Sequence, residues 1–195
     1  MTRFVDRGAI VAAFVGVGMA VTMAISFLLV IPIEPAYILL AFPGGLIIGY
    51  YANARSSRAR GQWRRILPNG LLAGLVTGVV LALLLLGTKA LFFLGDTGYP
   101  DFNRVENGVA VGPTCLAGAD CVYQRYLAAQ PDELAEAGVT DAASFASVYW
   151  AQQWSTARLL VLGTIGAALL GAVLFGIGGP RQADQASVRR ATVPA

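Results

Sequence analysis

The sequence predicts an all-α membrane protein: a four-transmembrane-helix bundle with a small, mostly helical extracytoplasmic lid between the third and fourth helices. Three observations predict it. The 195-residue chain is 56% hydrophobic, 13% charged and has a mean hydropathy of +0.65, where a soluble domain carries about 25% charged residues. Four long apolar runs follow one another, at about 8–31, 36–53, 66–94 and 155–179, and a helix needs about 20 apolar residues to cross a ~30 Å hydrocarbon core. The segments joining these runs alternate between basic and acidic.

The first run follows Arg3 and Arg7, as the core of a signal peptide would. It is longer than the roughly 7–15 apolar residues of such a core, and Pro32-Ile33-Glu34-Pro35 offers no small-residue cleavage site, so an uncleaved span is expected. The second run is near the minimum length and contains Pro43-Gly44-Gly45, which predicts a proline kink. The third carries Lys89 near its outer end, where the ammonium is expected to snorkel outward. Asn69 follows Pro68 at the start of that run and is expected to cap it.

Basic residues set the orientation. Arg55, Arg58, Arg60, Arg64 and Arg65 crowd residues 54–65 with no acid, and both termini carry more arginine than acid. The positive-inside rule places all three in the cytoplasm. Residues 95–154 hold Asp96, Asp101, Glu106, Asp120, Asp132, Glu133, Glu136 and Asp141 against Arg104 and Arg125, and fall outside. The localisation expected is a multi-pass cell-membrane protein, such as one of a bacterial inner membrane, ending in a disordered cytoplasmic tail at 180–195. The aromatic residues fit this frame, with Tyr50, Tyr51 and Trp63 near the inner boundary and Phe92, Phe93, Tyr149, Trp150 and Trp154 near the outer one.

That orientation decides the reading of Cys115 and Cys121, the two cysteines of the chain. Outside the cytoplasm disulfides persist, so a bridge pinning the lid is expected. A metal site would need further thiolate or imidazole ligands, and the chain has no histidine. A catalytic redox pair favours the closer Cys-x-x-Cys spacing. Within the lid, helices are predicted over 122–130 and 131–137, the second opened by Pro131 and ended by Gly138. Thr140 or Asp141 is expected to cap a helix running without interruption into the fourth span.

Small residues recur at every fourth position. Gly16 lies in such a stripe in span one, Gly45 and Gly49 in span two, Gly70, Gly74 and Gly78 in span three, and Gly176 in span four. In lipid, such stripes let helix backbones approach closely. They are expected to pack the bundle internally, the sharper alternative being that one faces another subunit.

Chemistry is sparse. No Walker loop, GxSxG, HExxH or catalytic carboxylate pair is present, and no cofactor or metal is expected. Thr22, Thr77, Thr88 and Thr164 lie within spans, but threonine hydroxyls often bond back to their own helix. The basic loop with Trp63 suits anionic lipid headgroups, worth ~1 kcal/mol per charge, or serves only to set topology. It lacks the interleaved aromatics of a nucleic-acid surface. The expected function is that of a non-enzymatic membrane protein, a structural or accessory subunit acting through helix packing. Its partners would be the bilayer and a second copy or a membrane-complex protein. The alternative is a small transporter or channel subunit with a pathway along Gly/Thr-lined helix faces.

Overall fold

The computed structural model describes residues 5–30, 33–95, 105–107, 109–110 and 118–181. Helix α1 spans Arg7–Ala24 and continues as a π-helical segment over Ile25–Val30; α2 spans Glu34–Arg55 and α3 Trp63–Gly95. A two-residue antiparallel ladder, β1 (Val105–Glu106) with β2 (Val109–Ala110), turns at Asn107. Then come α4 (Ala119–Ala129), α5 (Pro131–Glu136) and α6 (Ala142–Gly178). Arg7–Val30, α2, α3 and α6 are each long and apolar enough to cross a membrane, consistent with a multi-pass membrane protein.

Several boundaries differ from those read in the sequence. Helix α2 begins at Glu34, because Pro35 suits a first helical turn and Glu34 favours the positive end of the helix dipole. It continues as α-helix through Pro43. Helix α3 begins at Trp63, so Pro68 and Asn69 lie inside it, and Asn69 is not its cap. The π-helical end of the first span and the small β-ladder carry no signal in the hydropathy pattern. The tail at 182–195 lies outside the described residues.

The chain forms two compact units: Met1–Leu84 with Arg158–Ala195, and Leu85–Ala157. In the first, α1, α2, most of α3 and the later part of α6 pack through small residues. Ala9, Ala12, Ile48, Ala52 and Ala73 make one buried cluster, and Ile66, Ala172 and Phe175 another. The outward faces are apolar: Phe14 and Leu39 are each 74% exposed and Leu162 is 69% exposed. Contiguous apolar surface of this kind is tolerated where lipid is the solvent.

The second unit has its own core, made by Phe93, Val122, Leu134, Val139, Phe145 and Tyr149. Helix α5 ends where Gly138 takes a φ of +70° and Val139 N–H reaches back to the Leu134 carbonyl at 2.9 Å. Asp141 then caps α6. Its Oδ1 accepts from Ser144 N–H at 2.7 Å, while Ser144 Oγ accepts from Asp141 N–H at 3.1 Å, the reciprocal arrangement of a capping box. From there α6 runs unbroken to Gly178, as its lack of an early Gly or Pro predicts.

Candidate functional site: a polar junction and the glycine seams

The most connected polar group in the first unit gathers around Asp6. It sits at the N-cap position of α1, yet its side chain caps nothing. The carboxylate instead receives Arg58, with Nε donating to Oδ2 at 2.7 Å and Nη2 to Oδ1. Asn69 Nδ2 donates to the same Oδ2 at 2.8 Å, and Asp6 N–H donates to Asn69 Oδ1 at 3.0 Å. The Asn69 amide also lies 3.3 Å from Asn53 Oδ1 and 3.4 Å from Ser56 Oγ. Asn53 Nδ2 in turn donates to the Gly49 and Ile66 carbonyls, both at 3.1 Å. Asn53 and Asn69 are fully buried.

One junction therefore ties the start of α1, the end of α2, the following loop and the first turns of α3. Buried amides need such partners, because leaving one unmade costs about 1–3 kcal/mol. The Arg58 guanidinium holds the Asp6 carboxyl below its ordinary range, and Asp6 raises Arg58 reciprocally.

Arg58 was expected to be a lipid contact alongside Arg55, Arg60, Arg64 and Arg65. It is instead half-buried and bonded to Asp6. Arg55, Arg60 and Arg64 are exposed, and Arg65 is half-buried. The loop that carries them is held by backbone bonds from Arg60 N–H to the Pro180 carbonyl and from Gly61 N–H to the Gly176 carbonyl, each 3.0 Å.

The glycines lie in seams where a side chain would collide with a neighbouring helix. A Cβ at Gly49 would fall on the Ala168 carbonyl, and one at Gly45 would lie 2.8 Å from the Thr164 carbonyl oxygen. Along α3, a Cβ at Gly70 would lie 2.7 Å from Ala172 Cβ, one at Gly74 2.6 Å from Ala168 Cβ, and one at Gly78 3.1 Å from Val161 Cα. Helix α6 thus meets α2 on one side and α3 on another, and Gly171 faces the Leu46 carbonyl. Gly16 faces Thr77 Oγ1, and Gly176 faces the Trp63 ring. The α3 stripe meets α6 of the same chain. Gly18, Gly87, Gly163 and Gly166 have open space beside them.

Other polar side chains inside the spans also join or seal helices. Tyr37, fully buried, donates its hydroxyl to the Leu81 carbonyl at 2.6 Å. Thr22 and Thr77 bond back to Gly18 and Ala73, at 3.0 and 2.8 Å. Lys89, expected to snorkel to the surface, is buried. Cys121 is buried at the start of α4, while Cys115 lies outside the described residues.

Sequence reasoning missed the junction around Asp6. Its one available signal was a pair of asparagines, Asn53 and Asn69, placed at the same end of two consecutive apolar runs. No protein family, curated protein or solved structure matches this chain.

Proposed function

We propose that this chain is a non-enzymatic integral membrane protein that acts through helix packing and association, as a structural or accessory subunit. The observation that carries this reading is the use of its interior polar groups: Tyr37, Asn53 and Asn69 each bond one segment of the first unit to another. Glycine seams bring the same helices to backbone contact. A bundle tied together in this way is suited to present surfaces to other membrane proteins.

In this reading both termini and the 54–65 loop are cytoplasmic and residues 95–154 are an extracytoplasmic lid, supported by the distribution of arginine. A Cys115–Cys121 bridge pins that lid, supported by the placement of both cysteines in the segment that the arginine distribution puts outside the cytoplasm. Arg55, Arg60, Arg64 and Arg65 face anionic headgroups, with Arg58 diverted to Asp6.

The test is the native mass of the protein extracted from its own membrane in mild detergent. A particle larger than one chain with its detergent is expected. A bare monomer at every detergent tried would overturn association as the mode of action.

A further inference from the structure

We propose that Asp6 is an internal competitor of anionic lipid: its carboxylate holds Arg58 in an autoinhibitory contact, and headgroup phosphates compete for the same guanidinium. The inference rests on the reading above, that the exposed arginines of the 54–65 loop face anionic headgroups. Asp6 is the only acid in residues 1–7 and 54–65, whose other charged side chains are all arginine. It is therefore the one internal anion placed to oppose a phosphate there.

Packing brings the carboxylate to one particular arginine. Gly8 lets the start of α1 approach the chain at Arg55 and Ser56, since a Cβ there would fall on the Ser56 backbone nitrogen. Two residues earlier, Asp6 meets Arg58, with Nε donating to Oδ2 at 2.7 Å and Nη2 to Oδ1. Arg58 follows exposed Ser57 on the loop that also carries exposed Arg55 and Arg60. Paired, Asp6 and Arg58 are neutral together, and the charge of Arg58 is withheld from the face its neighbours present.

The two members of the pair are not held alike. The Asp6 carboxylate and backbone N–H are both bonded to Asn69, which is fully buried. The Arg58 side chain is 28% exposed, against 15% for Asp6. Arg58 is thus the member that can exchange partners while Asp6 stays fastened to α3. Phosphate offers a guanidinium the same bidentate acceptor geometry as a carboxylate. An ion pair this exposed contributes little net stability, and the attraction of an arginine to an anionic leaflet is of similar size. Arg58 joins the lipid-facing set only where headgroup charge outweighs Asp6.

The test uses the full-length protein in non-ionic detergent, with dioctanoyl phosphatidylglycerol as the probe and dioctanoyl phosphatidylcholine as the zwitterionic control. Bound lipid is counted by native mass spectrometry. Asp6→Asn should bind phosphatidylglycerol about five-fold more tightly than the parent, the effect of one added arginine charge, with phosphatidylcholine unchanged. A double-mutant cycle with Arg58→Gln separates release of Arg58 from mere addition of charge. Arg58→Gln should weaken phosphatidylglycerol binding by under about two-fold in the parent and by about five-fold in Asp6→Asn. Equal effects in the two backgrounds, or no gain in Asp6→Asn, would overturn the proposal. Arg60→Gln, which leaves the junction intact, should cost the parent about five-fold. If Asp6→Asn does not yield folded protein, the parent comparison decides, and equal losses in Arg58→Gln and Arg60→Gln overturn the proposal. Combined Arg55→Gln, Arg60→Gln and Arg64→Gln substitutions check the underlying reading. Phosphatidylglycerol binding that persists at the parent level overturns that reading and the inference with it; a loss there without a gain in Asp6→Asn overturns the inference alone.

Discussion

Asp6 and Asn69, 63 residues apart, bond each other in both directions: the Asn69 amide donates to the Asp6 carboxylate at 2.8 Å, and the Asp6 backbone N–H donates to the Asn69 side-chain oxygen at 3.0 Å. The pair fastens the first residue before α1 to the early turns of α3. Replacing Asn69 by Leu removes both bonds and leaves Asn53 Oδ1 without its amide partner. A loss of about 2–3 kcal/mol is expected, read as a lower midpoint in SDS-induced unfolding from mixed micelles. An unchanged midpoint would mean that the junction contributes no cohesion.

The same junction sets a pH limit. Arg58 and Asn69 hold the Asp6 carboxyl below 3.8, against the opposing effect of burial. A carboxylate whose folded pKa is depressed adds stability above its unfolded pKa and loses it as pH falls through the folded value. The contribution from Asp6 should therefore be flat from neutral pH down to about 5 and fade below about 4. Asp6→Asn should be less stable than the parent at pH 7, and the difference should narrow under strong acid. Melting both proteins across that range checks it, and a gap that stays constant would detach the effect from ionisation.

The long helices were legible because hydropathy integrates over many residues, and α6 was legible further because no Gly or Pro interrupts its start. The junction was not, for a physical reason. Asp6 and Arg58 lie 52 residues apart, and a single ion pair leaves no periodicity in either segment. Asn69 was read as a cap because it follows Pro68, yet α3 extends back to Trp63, whose ring packs against Gly176. Tertiary packing at that end adds a helical segment that local residue preferences assign to a loop. The small residues at every fourth position did indicate close seams, but not which helix each one meets. That pairing depends on the rotation of α6, which the even apolarity of its faces conceals.

Gly49 and Gly163 separate packing from propensity. A Cβ at Gly49 meets backbone atoms of Ala168, which cannot rotate away, whereas one at Gly163 meets nothing within 4 Å. Gly49→Ala should destabilise by about 1–3 kcal/mol through overpacking. Gly163→Ala should be neutral or gain up to about 1 kcal/mol, because Ala is the better helix former. Parallel unfolding curves in mixed micelles check this, and equal effects at the two sites would contradict the assigned seam between α2 and α6.

Tyr37 tests how much a buried hydrogen bond contributes between these helices. Its hydroxyl is wholly enclosed and reaches the Leu81 carbonyl of α3 at 2.6 Å. The acceptor sits inside a helix, so its carbonyl retains the helical bond when the hydroxyl is removed. Interhelical hydrogen bonds in membranes average only about 0.6 kcal/mol, because the unfolded state also finds partners in lipid. Tyr37→Phe should therefore cost under about 1 kcal/mol. Tyr37→Ala should cost about 3–5 kcal/mol, as expected for deletion of a large enclosed aromatic side chain. If Tyr37→Phe were as damaging as Tyr37→Ala, the hydroxyl rather than the ring would hold α2 against α3, and the seams would count for less than the polar contacts between them.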